Sequence, residues 1–385
     1  MLRSEITCHM AAQALTENGY SVSAIQPINE GSNHFVFDVT LTPNQSAICK
    51  FIKIRDTEKG LGTAHQDTLF GGSLSLKRES YLLQMAALAD VPVPQVYGTH
   101  DSTVGSFILL QKMTGFSHKE CMKQSGYSKS LFLNSLYYLG QDFAKIQKIK
   151  FSSFGNIMDK GQIEPAGITN FSQRFASVIE MRLTRCHIKK VFRNSAEEKR
   201  VGEFFQQKLK DHADDFSLTA APPVLVFTDM HAENFFTNTA GKPTGYFDLE
   251  SSQAAPAALE YYGFLFFLFN FYDRECFDLA RQSFWSGYTS DGTAIPKDCQ
   301  NQALVDFLAA CRILELAQSY WGYIDGIRDD WGEKMRALLF HYMDTACLDY
   351  LAIGDIWRLT QKLNFALTFD SLPRQTVLFD MTFRQ

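Results

Sequence analysis

The chain has no paired cysteines. Its eight cysteines stand singly at 8, 49, 121, 186, 276, 299, 311 and 347, and no Cys-x-x-Cys occurs. That spacing excludes a zinc knuckle and a thiol–disulfide redox motif. The opening MLRSEITCHMAAQALTENGY lacks the apolar run of a cleaved leader. The most apolar stretch, Tyr261 to Phe271, falls short of the about 20 residues that span a bilayer and reads as a buried helix. Positive charge is not in excess either. The formal net charge is −5, which gives no electrostatic footprint for nucleic acid. The one basic cluster, Lys189-Lys190-Val191-Phe192-Arg193, reads as a solvated helix face. Repeats and low-complexity tracts are missing as well. These absences leave a reduced cytoplasmic protein with no membrane span and no nucleic-acid partner.

What is present argues for an ordinary folded chain of some size. Hydrophobic residues make up 45% of 385 residues, enough for a core without staples. A length of this order favours two lobes over one core. There are 33 phenylalanines, many of them beyond residue 260, which suggests an aromatic helical core. Residues 4 to 17 read as a helix closed near Asn18 and Gly19. INEGSNHFVFDVTL and AICKFIKI flank the turn Thr42-Pro43-Asn44-Gln45, which predicts an antiparallel hairpin. A polar, Gly-rich loop over 56–75 precedes a helix from Leu76 to Ala89. Pro92 and Pro94 impose an extended segment into QVYG, and SFILLQKM reads as an apolar strand. The remainder reads as mostly helical: around LYYLGQDFAKIQKI, over 170–216, and from Ala257 onward, with an interruption at Gly287 to Pro296.

The stretch VFTDMHAENFFTNTAGKPTGYFDLE, residues 226–250, carries the chemistry. The apolar strand VLVF ends in a loop holding Asp229 and Asn234. A second apolar run, GYF, ends at Asp248 after the turn Thr239 to Pro243. Two strands joined by a tight turn would bring Asp229 and Asp248 to one pocket. Nucleotide-driven phosphoryl transfer requires one carboxylate to orient the hydroxyl nucleophile and a carboxylate plus an amide to hold Mg²⁺. Glu250 shares the face of Asp248 if that strand continues. A competing pattern lies in the same segment. Asp229, His231 and Glu233 alternate, and in an extended strand they would form a non-haem metal site. In a loop the alternation means nothing.

The segment resembles the catalytic stretch of the aminoglycoside phosphotransferase and choline kinase family, His-Gly-Asp-x-His-x-x-x-Asn followed by Asp-x-Glu. Asp229, His231, Asn234, Asp248 and Glu250 match, while Phe227 and Thr228 replace the usual His and Gly. The likeness extends over most of residues 25 to 290 through VPVPQVYG, SFILLQKMTG and LGQDFAKIQKIKFSSFG. It departs at Ala254-Ala255-Pro256-Ala257-Ala258-Leu259, where the family's Gly-Asp-Pro-x-x-Asp acids are missing and Glu260 is a replacement candidate for one of them. The resemblance implies a bilobal, protein-kinase-like α+β fold. A nucleotide-binding lobe would occupy residues 1–112, and a helical lobe with the catalytic loop and acceptor site residues 113–385. It implies ATP or GTP and Mg²⁺ as cofactors, with Asp229 as catalytic base, Asn234 and Asp248 as metal ligands, and His231 and Glu250 in support. Glu30-Gly31-Ser32-Asn33 resembles the family's phosphate-covering turn, although one glycine also suits a plain hairpin. Lys50 would bind phosphates and Glu79 would hold it; Lys53, on the opposite strand face, is the rival lysine. Backbone near Gln111, Lys112 and Met113 would meet the adenine. A cationic acceptor would find acids and aromatic faces around Tyr320, Trp321, Tyr323, Asp325, Asp329, Asp330 and Trp331. The expected reaction is phosphoryl transfer to a small-molecule hydroxyl. A nucleotide-binding regulatory module without catalysis, or a kinase with a protein acceptor, are the alternatives.

Overall fold

The computed structural model describes residues 5–28, 34–53, 75–124, 126–268, 274–323 and 330–360. The first half builds a five-stranded antiparallel sheet with a helix on each face. Helix α1 (Cys8–Glu17) starts after Thr7, whose hydroxyl accepts the Met10 N–H at 3.3 Å. It starts later than residue 4, because this cap fixes the first turn. Strands β1 (Val22–Ile28), β2 (His34–Leu41) and β3 (Gln45–Ile52) follow, then α2 (Leu76–Leu88), β4 (Val96–His100) and β5 (Phe107–Gln111). The strand order is β1-β2-β3-β5-β4. Period-two alternation along β3 decides what each face does. Ala47, Cys49 and Phe51 pack with Ala11, Ala14 and Leu15 of α1. The residues between them, Ile48, Lys50 and Ile52, face the α2 side, where Ile108, Leu82 and Leu83 belong to the larger core.

The chain then enters a helical body. Its elements are β6 (Phe116–Ser117), α3 (His118–Met122), α4 (Lys129–Ile146), β7 (Gly155–Ile157), β8 (Ile163–Glu164), α5 (Phe171–Ile188) and α6 (Ser195–Asp211). Next come β9 (Val224–Val226), β10 (Phe235–Thr237), β11 (Pro243–Tyr246), a 3-10 turn at Leu249–Ser251 and β12 (Gln253–Ala255). Helices α7 (Ala257–Leu268), α8 (Arg274–Tyr288), α9 (Lys297–Gln300), α10 (Gln302–Ser319), α11 (Trp331–Thr345) and α12 (Tyr350–Thr360) complete it. Two small sheets, β11-β10-β6 and β8-β7-β12-β9, sit between the five-stranded sheet and these helices in sequence.

The pairing corrects one expectation. The strand before Asp229 does not pair with the strand before Asp248: β9 pairs with β12, and β10 pairs with β11. The turn at 239–243 closes the β10–β11 hairpin, so the short strand Phe235–Thr237 intervenes between the two acids. The 170–216 stretch is likewise two helices, with Lys190 at φ +56° where they part.

Helices α4 and α8 approach closely through two glycines. A Cβ at Gly140 would fall 2.0 Å from Phe284 O, and one at Gly287 would fall 1.8 Å from Tyr137 O. Both obstacles are backbone of the facing helix, so neither yields by a rotamer change. Replacing a helix-interior glycine by alanine ordinarily stabilises by about 1 kcal/mol. The close approach reverses that sign. Gly287→Ala is expected to destabilise by roughly 1–3 kcal/mol, the usual cost of overpacking, read as a lowered midpoint in urea or thermal unfolding.

Candidate active site

Three backbone segments converge on one ammonium group. Lys50 reaches from β3 toward α2 because its strand face is fixed by the alternation above. Glu79 meets it from the first turn of α2, which Ser75 caps by accepting the Arg78 N–H at 3.2 Å. Such a cap contributes about 1 kcal/mol and sets where the helix starts, hence where Glu79 points. Lys50 Nζ donates to Glu79 Oε1 and Oε2 at 2.8 and 2.9 Å and to Asp248 Oδ1 at 2.8 Å. Lys53 turns away and lies 5.1 Å from the Phe35 ring centroid.

Asp248 comes from the loop after β11. The strand ends at Tyr246, and Asp248 adopts a left-handed conformation, φ 62° and ψ 44°, leading into the 3-10 turn. Aspartate is among the residues that tolerate this region. Glu250 therefore lies in a turn, not on a continued strand, yet it still faces the same cluster. Its Oε2 is 3.2 Å from His34 Nε2.

Burial alone would lower the Lys50 ammonium, but Asp248, Glu79 and Glu250 outweigh it and hold the group protonated. Burial would raise Asp248, and Lys50 outweighs that, keeping the carboxyl below its ordinary value. Burial pushes Glu79 up despite Lys50. These directions oppose one another for the Lys50–Glu79 pair. The geometry favours the charged pair, since both Glu79 oxygens accept from one ammonium.

The loop after β9 carries Asp229 and is tied down at both ends. Phe227 is buried, with its ring 6.1 Å from that of Tyr246. Its N–H donates to Glu260 Oε1 at 2.9 Å. The Thr228 hydroxyl donates to Ser251 O at 2.7 Å, linking this loop to the Asp248 loop. Asn234 closes the far side. Its Nδ2 donates to Asp229 O at 2.8 Å and its N–H to His231 O at 2.9 Å, while its own carbonyl accepts from Phe247 N at 3.1 Å. That arrangement leaves the amide oxygen, the atom a hard cation takes. The Asp229 side chain is 42% exposed, and His231 Nε2 stands 4.0 Å from its Oδ2.

The alternating set of Asp229, His231 and Glu233 is not a metal site. The segment is a loop, and the two acids approach different ring nitrogens of His231, Nε2 for Asp229 and Nδ1 for Glu233 at 3.8 Å. Glu233 is also paired with Lys119 of α3. Among the described residues, the grouping with metal-ligand spacing is instead His34, Asp248 and Glu250.

Gly31, Ser32 and Asn33 lie outside the described residues. Gln111 ends β5, and its N–H donates to Gln95 O at 2.8 Å. The Lys112 ammonium donates to Asp38 at 2.6 Å. Met113 packs on Gly245 of β11, where a Cβ would come within 2.5 Å of Met113 Cε. Of the aromatic residues at 320–331, Tyr323 is exposed and Trp331 is not. Trp331 is buried, and its ring centroid lies 4.9 Å from that of Tyr320; Asp325 and Asp329 fall outside the described residues.

Three contributors escaped the sequence reading. Arg312 of α10, paired with Glu315, extends its field to Asp229. His34 shares the sheet face of Lys50, since Val36 pairs with Lys50 and His34 lies two residues earlier on β2; strand parity alone could have found it. The third is Asp298. Its Oδ2 accepts the Ala258 N–H at 2.8 Å at the start of α7. With Glu260 on Phe227, it supplies carboxylates beside a segment, 254–259, that has none of its own. No local spacing announces Asp298, because it arrives from α9.

No family model and no curated protein sequence matches the chain. Solved structures do. The GDP complex of wild-type aminoglycoside 2′-phosphotransferase-IIIa aligns over 89% of this chain and 100% of its own, at 12% identity and a TM-score of 0.53. A putative fructosamine-3-kinase from Thermobifida fusca YX-ER1 aligns over 91% and 99%, at 14% identity and a TM-score of 0.55. The streptomycin–ATP ternary complex of APH(2″)-IIa aligns over 88% and 97%, at 12% identity and a TM-score of 0.52. The chain therefore has the bilobal kinase-like α+β fold of these phosphotransferases.

Glu260 gives this site a pH signature. It is fully buried, and burial pushes its carboxyl up to about 8 although Gln147 and Phe227 N–H donate to it. The folded state thus holds a proton that the unfolded chain, with an ordinary value of 4.5, releases. Stability from this group is complete below pH 4.5 and is lost as pH rises to about 8. Glu260→Gln should flatten that part of the stability–pH curve, measured by thermal unfolding across the window. An unchanged slope would mean Glu260 is not protonated when folded.

Proposed function

We propose that the protein is a phosphotransferase that moves the γ-phosphoryl group of ATP or GTP to a hydroxyl of a small molecule. The observation that carries this reading is the meeting of Lys50, Glu79 and Asp248 at 2.8–2.9 Å, beside a loop that presents Asp229 and Asn234. The fold supports it, as do neighbours whose structures hold GDP in one case and streptomycin with ATP in another. We assign residues 1–112 to the nucleotide lobe and 113–385 to the helical lobe. No described helix is long and apolar enough to cross a membrane, and all eight cysteines are free, which fits the cytoplasm.

In this mechanism Lys50 binds the nucleotide phosphates and Glu79 keeps its ammonium aimed. Lys50 would hold the phosphates, and Asp248, which now accepts from Lys50, would serve as a ligand of the cation. The backbone at Gln111, Lys112 and Met113 would hold the base, and Gly31, Ser32 and Asn33, outside the described residues, would serve the phosphates. Asn234 Oδ1 and the Asp248 carboxylate are hard oxygen donors and fit Mg²⁺; the ion, when bound, neutralises phosphate charge. Asp229 orients the acceptor hydroxyl and takes its proton, with His231 and Glu250 supporting the two loops. Thr228, by bonding Ser251 O, keeps the base and the cation ligands in one frame. Positioning of this kind supplies most of the rate in phosphoryl transfer. We place the acceptor between Asp229 and α10, where Arg312 can meet an anionic or strongly polar group.

Replacing Asp229 with Ala separates chemistry from binding. The Mg-ATP-dependent turnover, followed as slow ATP hydrolysis with water as acceptor, should fall about 10²–10⁴-fold, with nucleotide affinity retained. Turnover that survives the substitution would remove Asp229 from the base role.

A further inference from the structure

We propose a second cation site, built by His34, Asp248 and Glu250, that takes a divalent first-row transition cation of the Mn²⁺ type without nucleotide. One ligand atom from each residue lies within 4.8 Å of the others. A coordination sphere with bonds of about 2.0–2.4 Å is about 4–5 Å across, so one ion can reach all three. The His34 to Glu250 contact is the informative edge. His34 Nε2 lies 3.2 Å from Glu250 Oε2, close to the separation of adjacent ligands in an octahedron of such bonds. Yet this nitrogen makes no hydrogen bond, although His34 is only 6% exposed. A buried ring nitrogen beside a carboxylate in non-bonding geometry is arranged as a ligand is.

The charges permit the ion. Lys50 and Arg78 act as cations on the carboxylates Glu79, Asp248 and Glu250, while Asp159 also acts on Arg78 and His231 on Asp248. The cluster's three carboxylates outnumber these two permanent cations. Asp248 gives Oδ1 to Lys50, and its other oxygen remains for a cation. Chemistry then selects the metal. Imidazole with two carboxylates suits Mn²⁺, Fe²⁺ or Zn²⁺, whereas Mg²⁺ prefers oxygen alone. The site differs from the Asn234–Asp248 pair assigned to the nucleotide's cation, with Asp248 common to both. It does not depend on phosphoryl transfer.

Mn²⁺ titration of the full chain without nucleotide, followed by electron paramagnetic resonance, tests it. Wild type should bind one Mn²⁺ per chain, with nitrogen hyperfine modulation from imidazole in the spin-echo signal. His34→Ala should weaken binding at least tenfold and abolish the modulation. His231→Ala and Asn234→Ala should retain both. His34→Gln, which keeps a polar side chain there, should also lose the modulation and serves if the alanine variant does not fold. No Mn²⁺ binding by wild type, or bound Mn²⁺ without nitrogen modulation, or modulation that survives at His34→Gln, would overturn the site. Because nucleotide is left out, such a failure leaves the phosphotransferase reading to its own test.

Discussion

One buried ammonium organises this molecule. Lys50 is the point where the five-stranded sheet, helix α2 and the Asp248 loop meet, and its partners come from residues 29 and 198 positions away in sequence. Removing one member of a buried ion pair ordinarily costs about 3–5 kcal/mol. Here burial already pushes Glu79 up, so a proton can take the place of the lost cation and limit that cost. The arrangement therefore contributes geometry more than stability. It fixes the rotation of α2 against the sheet and draws the left-handed Asp248 toward the other loop.

The second constraint is the scaffold under the loops. Glu260, Gln147 and Tyr288 form a buried chain, with Tyr288 donating to Gln147 at 2.7 Å and Gln147 to Glu260 at 2.8 Å. It ends on the Phe227 N–H, two residues before Asp229. Buried polar groups in such chains must all be satisfied, and satisfied chains specify one geometry. Asp298 caps α7 from outside that helix. The segment 254–259 has no acids of its own: Asp298 accepts the Ala258 N–H there, and Glu260, the next residue along α7, accepts from Phe227. Thr228 belongs to the same logic: a hydroxyl that bonds Ser251 O joins the loops directly.

How much of this was legible in the sequence follows from the range of each signal. The α1, β2–β3, α2 and β5 segments were readable because caps, alternation and turn residues act within a few positions. Period two set Lys50 and Lys53 on opposite faces and the family resemblance chose Lys50; the same parity would have exposed His34. What failed was long-range. The pairing of β9 with β12, and not with β11, depends on contacts across the lobe. The Asp229, His231 and Glu233 alternation had periodicity but no strand to give it meaning. The aromatic residues at 320–331 were ambiguous between core and pocket: Trp331 is core, packed against Tyr320, whereas Tyr323 is exposed. Asp298 and Arg312 carry no local mark at all; only the placement of α9 and α10 reveals them.

The central claim is that Lys50 exists to bind phosphate. The affinity of wild type and of Lys50→Met for Mg-ATP, by calorimetry or by the rise in unfolding temperature that a native-state ligand produces, tests it most directly. The account predicts binding by wild type and a loss of at least tenfold in the variant, about 1.4 kcal/mol, provided the variant unfolds cooperatively. Equal affinity in a folded variant, or no binding by wild type, would contradict it.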